Sequence, residues 1–304
     1  MKIALAALLA LLPWLSPGHT AAAPLKIAAS SFPVYDFARV VAGDRAEVFL
    51  LSPPGSNTHS FEPSPSDILR LSNSGIFVYV SGYMEPWAER LELKPGVKIV
   101  EAASGASCIR VAAGHAHEGR SHEHGRDGSC DPHVWMDTDN ASKMVQAIAD
   151  ALSAKDPANA CVYAANASAY QKRLKALDES YRKGLASCKV KSIIHSGHAA
   201  FAYLAARYGL SFVSSTGVTG DSEPVPSDLL ALAREVRKYG AEYIFTEAQV
   251  NRRFADTVRA ETGAQILSLH HIGSVSREEF ASSSYLSMME DNLAALEKGL
   301  SCRQ

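Results

Sequence analysis

Short apolar runs and helical periodicities alternate along most of this chain. Residues 26–30 (KIAAS), 47–51 (EVFLL), 76–80 (IFVYV) and 98–100 (KIV) read as strands, with helices at 33–41, 63–71 and 84–91 between them. A helix follows at 138–152, where Met144, Val145, Ile148 and Leu152 share one face. After the break at Asp156 and Pro157, residues 158–187 contain no proline and one glycine, Gly184. They carry Tyr163, Tyr170, Leu174, Leu177, Tyr181 and Leu185 mostly at spacings of three and four, so one long helix is predicted. The alternation then resumes, with strands at 192–195, 211–214, 243–246 and 265–269 and helices at 199–208, 226–239, 253–262 and 285–300. Strands separated by helices predict an α/β fold of mostly parallel sheets covered by helices. The expected organisation is a lobe at 24–156, a connecting helix at 157–187 and a second lobe at 188–304.

Residues 1–23 stand apart from this pattern. A lysine, an apolar run over 3–15 and then small residues describe a secretory signal peptide, and the run is too short to span a bilayer. No cysteine follows the small residues, so a periplasmic protein without a lipid anchor is expected. With 30 Lys and Arg against 32 Asp and Glu, no bulk charge points to nucleic acid or a membrane surface as partner. Export makes the five cysteines disulfide candidates. Cys108 and Cys130 bracket a His-rich loop, Cys188 and Cys302 form the next pair, and Cys161 is left over.

Histidine is the chemistry the sequence emphasises. The loop at 114–130 holds His115, His117, His122 and His124 among Gly, Glu, Arg and Ser, with neither helical nor strand period. Four others, His59, His133, His198 and His270, each follow a predicted strand directly or through a loop. Ligands of open α/β sheets bind beyond the carboxyl ends of the strands, so two histidines from each lobe could converge in the cleft between them. His195 falls within a strand, and His271 neighbours the better-placed His270. Glu62 and Glu247 are candidates for ligation or for orienting an imidazole, and Asp137 and Glu223 for capping helices.

The segments NTHSFEPSPSD (57–67), DPHVWMD (131–137) and HAAFAYL with RYGL (198–210), together with FTE (245–247) and the helix after it, resemble the ligand motifs of the metal-specific solute-binding proteins of ABC importers. The likeness covers nearly the whole chain beyond residue 23. It implies two lobes joined by one backbone helix around a buried metal, with His59, His133 and His198 on ligand positions. The family's fourth ligand is usually a carboxylate after the last strand. Here the matching text is Leu269-His270-His271-Ile272-Gly273, which puts His270 there and leaves His271 or water as alternatives.

A nitrogen-rich site favours Zn²⁺ over Mn²⁺, which prefers harder oxygen ligands. The reading is therefore a periplasmic zinc receptor delivering Zn²⁺ to an inner-membrane ABC permease, monomeric, not an enzyme, with a periplasmic zinc chaperone as a further partner. The loop histidines would be accessory capture sites. The alternatives are a receptor for manganese or another divalent metal, and a secreted zinc hydrolase. Against the hydrolase, no H-E-x-x-H motif is present.

Overall fold

The computed structural model describes residues 24–111, 129–220, 223–247 and 252–303. In the first lobe, β1 (Leu25–Ala29), β2 (Ala46–Leu50), β3 (Ile76–Tyr79) and β4 (Lys98–Glu101) form a parallel sheet in the order β2-β1-β3-β4. Every residue of β3 is buried and β2 is partly exposed, as expected for a central and an edge strand. The helices are α1 (Phe32–Ala42), α2 (Pro65–Ser72) and α3 (Thr138–Lys155). Ser64 and Asp67 form a capping box that starts α2, and Asp137 caps α3 by accepting the N–H groups of Asp139 and Asn140.

The second lobe repeats the arrangement. Strands β5 (Ser192–His195), β6 (Ser211–Ser214), β7 (Tyr243–Glu247) and β8 (Gln265–Leu269) are parallel in the order β6-β5-β7-β8. Between the sheets runs α4 (Ala160–Leu185), and the second lobe adds α5 (Ala202–Arg207), α6 (Pro226–Tyr239), α7 (Arg253–Thr262), α8 (Arg277–Ser282) and α9 (Tyr285–Gly299). The tyrosines and leucines singled out on α4 are all buried.

Three elements depart from the pattern read in the sequence. The helix expected at 84–91 shrinks to a single 3₁₀ turn over Ala88–Arg90. The cause is Glu85, whose buried carboxylate accepts the hydroxyls of Ser30 and Ser31 and the backbone N–H groups of Val80 and Ser81, drawing the chain away from helix. The helix expected at 199–208 begins only at Ala202; ahead of it the Ala199 N–H bonds Gly217 O and the Ala200 N–H bonds His198 O in a non-helical turn. The short α8 was not expected, although Ser276 and Glu279 supply its capping box. Glu223 is also not a cap: Val225 takes the N-cap position of α6, and Glu223 pairs with Arg253 instead.

One hydrophobic core runs through both lobes, including Phe37, Trp135, Tyr181 and Tyr285. Polar contacts also cross between them. Tyr285 donates its hydroxyl to Trp135 O at 2.6 Å and its N–H to Asp36 Oδ2 at 3.0 Å, and the Gly55 N–H reaches Val275 O at 2.7 Å. The structure has disulfides Cys108–Cys130 and Cys188–Cys302, and Cys161 is free and exposed. Among the described residues, no helix is long and apolar enough to cross a membrane.

Candidate metal centre

The loop after β2 delivers His59, the segment after β4 delivers His133, and the turn after β5 delivers His198. Gly55, at φ +88°, turns the first of these loops, and Asn57 Oδ1 accepts the His59 N–H to fix the residue's approach. The Nε2 atom of His133 lies 3.1 Å from that of His59 and 3.2 Å from that of His198. Two ligands 2.0–2.1 Å from one tetrahedral zinc ion would lie about 3.3 Å apart. The two separations about His133 thus already match ligands on a shared ion, and the three atoms lie within 4.8 Å of one another.

The far side of two of these rings is held by carboxylates. Asp131 Oδ1 accepts from His133 Nδ1 at 2.8 Å and from its backbone N–H at 2.9 Å. Glu247 Oε1, at the end of β7, lies 2.6 Å from His198 Nδ1. A proton on Nδ1 shared with a carboxylate leaves the Nε2 lone pair free for a metal. Gly197 makes the second pairing possible: a Cβ there would sit 2.6 Å from Glu247 Oε1.

Burial dominates the electrostatics. It holds His59 and His133 well below the usual imidazole range, helped by neighbouring histidines, and takes His271 down to about 3. Burial pushes Asp131 up to about 7. For Glu247 burial acts upward too, but the hydrogen bond of His198 carries it well below the ordinary carboxylate range. The result is neutral imidazoles at His59, His133 and His271 beside an anionic Glu247, which is suited to a cation.

The fourth position differs from the expectation. His270 does not reach the cluster: its Nδ1 faces Glu279 Oε1 of α8 at 3.3 Å. Asn292 of α9 fixes this orientation by bonding both the N–H and the C=O of His270 at 2.7 Å. His271 takes the inward position instead, its ring centroid 4.8 Å from that of His198 and its Nε2 3.7 Å from Glu247 Oε2. Trp135 Nε1 donates to His271 O at 2.8 Å, and the Gly273 N–H to His271 Nδ1 at 3.2 Å. His198, Glu247 and His271 therefore form a second group of clustered donors that shares His198 with the first.

Glu62 is exposed and outside both groups, and His195 is buried in β5 with neither ring nitrogen hydrogen-bonded among the described residues. His115, His117, His122 and His124 lie outside the described residues. Asp131 is the functional residue the sequence reading missed. Its signal was the Asp-x-His spacing, which lets one short side chain reach both the backbone and the ring two residues on.

Residues 27–299 match the family described as zinc-uptake complex component A, periplasmic. The chain belongs to this family. It is 36% identical over 278 residues to the zinc-binding lipoprotein AdcA of Streptococcus pneumoniae, covering 90% of this chain and 55% of that protein. The chain thus spans about half the length of these streptococcal relatives. The high-affinity zinc uptake system protein ZnuA of Bacillus subtilis is 31% identical over 288 residues, covering 91% of this chain and 88% of the relative. Among solved structures of the family, the Zn(II)-bound ZnuA-like domain of S. pneumoniae AdcA superposes with a TM-score of 0.77 at 34% identity. It covers 91% of this chain and 99% of that domain.

Proposed function

We propose that this protein is a periplasmic receptor that binds Zn²⁺ between its lobes and delivers it to an inner-membrane ABC importer. The observation that carries the reading is the trio of Nε2 atoms of His59, His133 and His198, spaced 3.1 and 3.2 Å apart about His133. His271 replaces His270 as the fourth ligand in this reading, which requires its proton to move to Nδ1 and the Gly273 N–H to release that atom. Asp131 and Glu247 orient the rings, and Glu247 supplies negative charge against the dication. Nitrogen donors of this number favour zinc over manganese.

Capture would need only small movements at the cleft, because the shared core and the contacts of Tyr285 already join the lobes. The protein then acts as a monomer that docks on the permease, with a zinc chaperone as a second source of metal. The loop histidines 115, 117, 122 and 124 serve as weaker accessory sites. A hydrolytic role is disfavoured, since four imidazoles leave no open position for water and both carboxylates are committed to histidines. Export rests on the lysine, apolar run and small residues of 1–23. The mass of the mature protein tests it.

The functional test is a competition titration of Zn²⁺ against Mn²⁺ on the parent and on His59→Ala, His133→Ala, His198→Ala and His271→Ala. The expected result is one tight zinc site, preferred over manganese and weakened by each substitution. Unaltered zinc affinity in all four variants would overturn the assignment.

A further inference from the structure

The six-residue helix α5 begins four positions after His198, and it faces the segment that carries His133. Two of its side chains, Tyr203 and Arg207, are four residues apart and so project from one face. Tyr203 is buried. Its hydroxyl accepts the Ile109 N–H at 3.0 Å and donates to Asp131 O at 2.9 Å, bridging the two strands of chain closed by Cys108–Cys130. Arg207 places Nη1 2.9 Å from Asp137 Oδ1 and Nε 2.6 Å from Asp178 Oδ1 of α4. Asp137 is also the cap of α3. One helix of the second lobe therefore holds both ends of the first lobe's segment 131–137, with His133 between the two grips.

We infer that Tyr203 and Arg207 are positioning residues that preset the spacing between His133 and His198 before a metal arrives. The inference rests on the reading of those two histidines as ligands. With the protons on both Nδ1 atoms, facing Asp131 and Glu247, the Nε2 lone pairs of His133 and His198 meet at 3.2 Å and repel, so the unloaded spacing needs an external restraint. The restraint runs along two short paths. From Tyr203 it passes through the Asp131 peptide to the carboxylate that holds His133 Nδ1. From Arg207 it passes through Asp137 to the 3₁₀ turn Val134–Met136 that directly follows His133. Arg207 binds two aspartates through separate nitrogens of a rigid fork, which a lysine ammonium cannot reproduce. Holding ligands at their loaded spacing removes an ordering cost from binding.

Zinc dissociation constants of Tyr203→Phe, Arg207→Lys and Asp137→Asn test the clamp, each in the parent and in the His133→Ala background. All would also carry His115→Ala, His117→Ala, His122→Ala and His124→Ala, so that the central site alone is read. Asp137→Asn keeps a residue able to cap α3 while removing the charge that Arg207 grips. Each clamp substitution is expected to weaken zinc roughly tenfold in the parent, at the low end of what loss of an outer partner costs a metal site. In the His133→Ala background it should have no further effect, because the clamp acts through His133. Unchanged affinity in the parent, or equal loss in both backgrounds, overturns the clamp. If His133→Ala itself binds zinc like the parent, the ligand reading falls instead.

Discussion

Glu247 decides what His198 can do. Its Oε1 engages Nδ1 of that ring, and its anionic state is sustained by the surrounding histidines against the penalty of burial. Glu247→Gln keeps the shape but removes the charge, and should weaken zinc about 10–100-fold in a chelator competition assay. His195 is a separate case. It lies buried against Phe201 and Phe212, and burial takes it down to about 4. A histidine whose folded value is depressed binds fewer protons folded than unfolded, so its stability contribution is full above about pH 6.5 and lost as pH falls toward 4. His195→Phe should therefore reduce the acid loss of metal-free stability in that window by up to about 3 kcal/mol, measured by denaturant unfolding at stepped pH. Residue identities were legible to different depths. His59, His133 and His198 stood out because each sits in a motif at a strand end. The choice between His270 and His271 was not legible, since it turns on Asn292, more than twenty residues away, gripping one peptide.

At the scale of elements, apolar runs gave the strands and the long period gave α4, because burial on both faces or on one stripe leaves a direct mark on composition. Strand order left no such mark, since which strand pairs with which depends on contacts across the fold. The shortened turn at Ala88–Arg90 was hidden for a similar reason: Glu85 takes its partners from β1 and β3 rather than from its own neighbours. The Cys188–Cys302 disulfide joins the start of the second lobe to the segment that follows α9 across 114 residues. Closing so long a loop predicts a larger stabilisation than Cys108–Cys130, which spans 22. Replacing Cys188 and Cys302 by serine should cost about 2–5 kcal/mol in urea unfolding and leave zinc affinity nearly unchanged, because neither residue touches the histidine cluster.

For the whole molecule, the continuous core and the interlobe hydrogen bonds make the site a largely preformed one at the join of two similar lobes. Its proton sensitivity follows from the same enclosure. Zinc needs neutral imidazoles, and His59, His133 and His271 are all held below the ordinary value, so protons compete for them only at lower pH. Proton competition at these three rings should set in only beneath the range of free imidazole, so most of the zinc affinity at about pH 7.5 should survive at about pH 6.5. A half-loss at or above pH 6.5 in the same competition assay would show that the rings are not shielded as described. In the proposed site four imidazoles share one ion. Zinc K-edge X-ray absorption on the protein loaded with one equivalent tests it most directly. Four imidazole nitrogens at about 2.0–2.1 Å are expected, whereas a shell dominated by oxygen, or one with two imidazoles or fewer, would overturn the shared site.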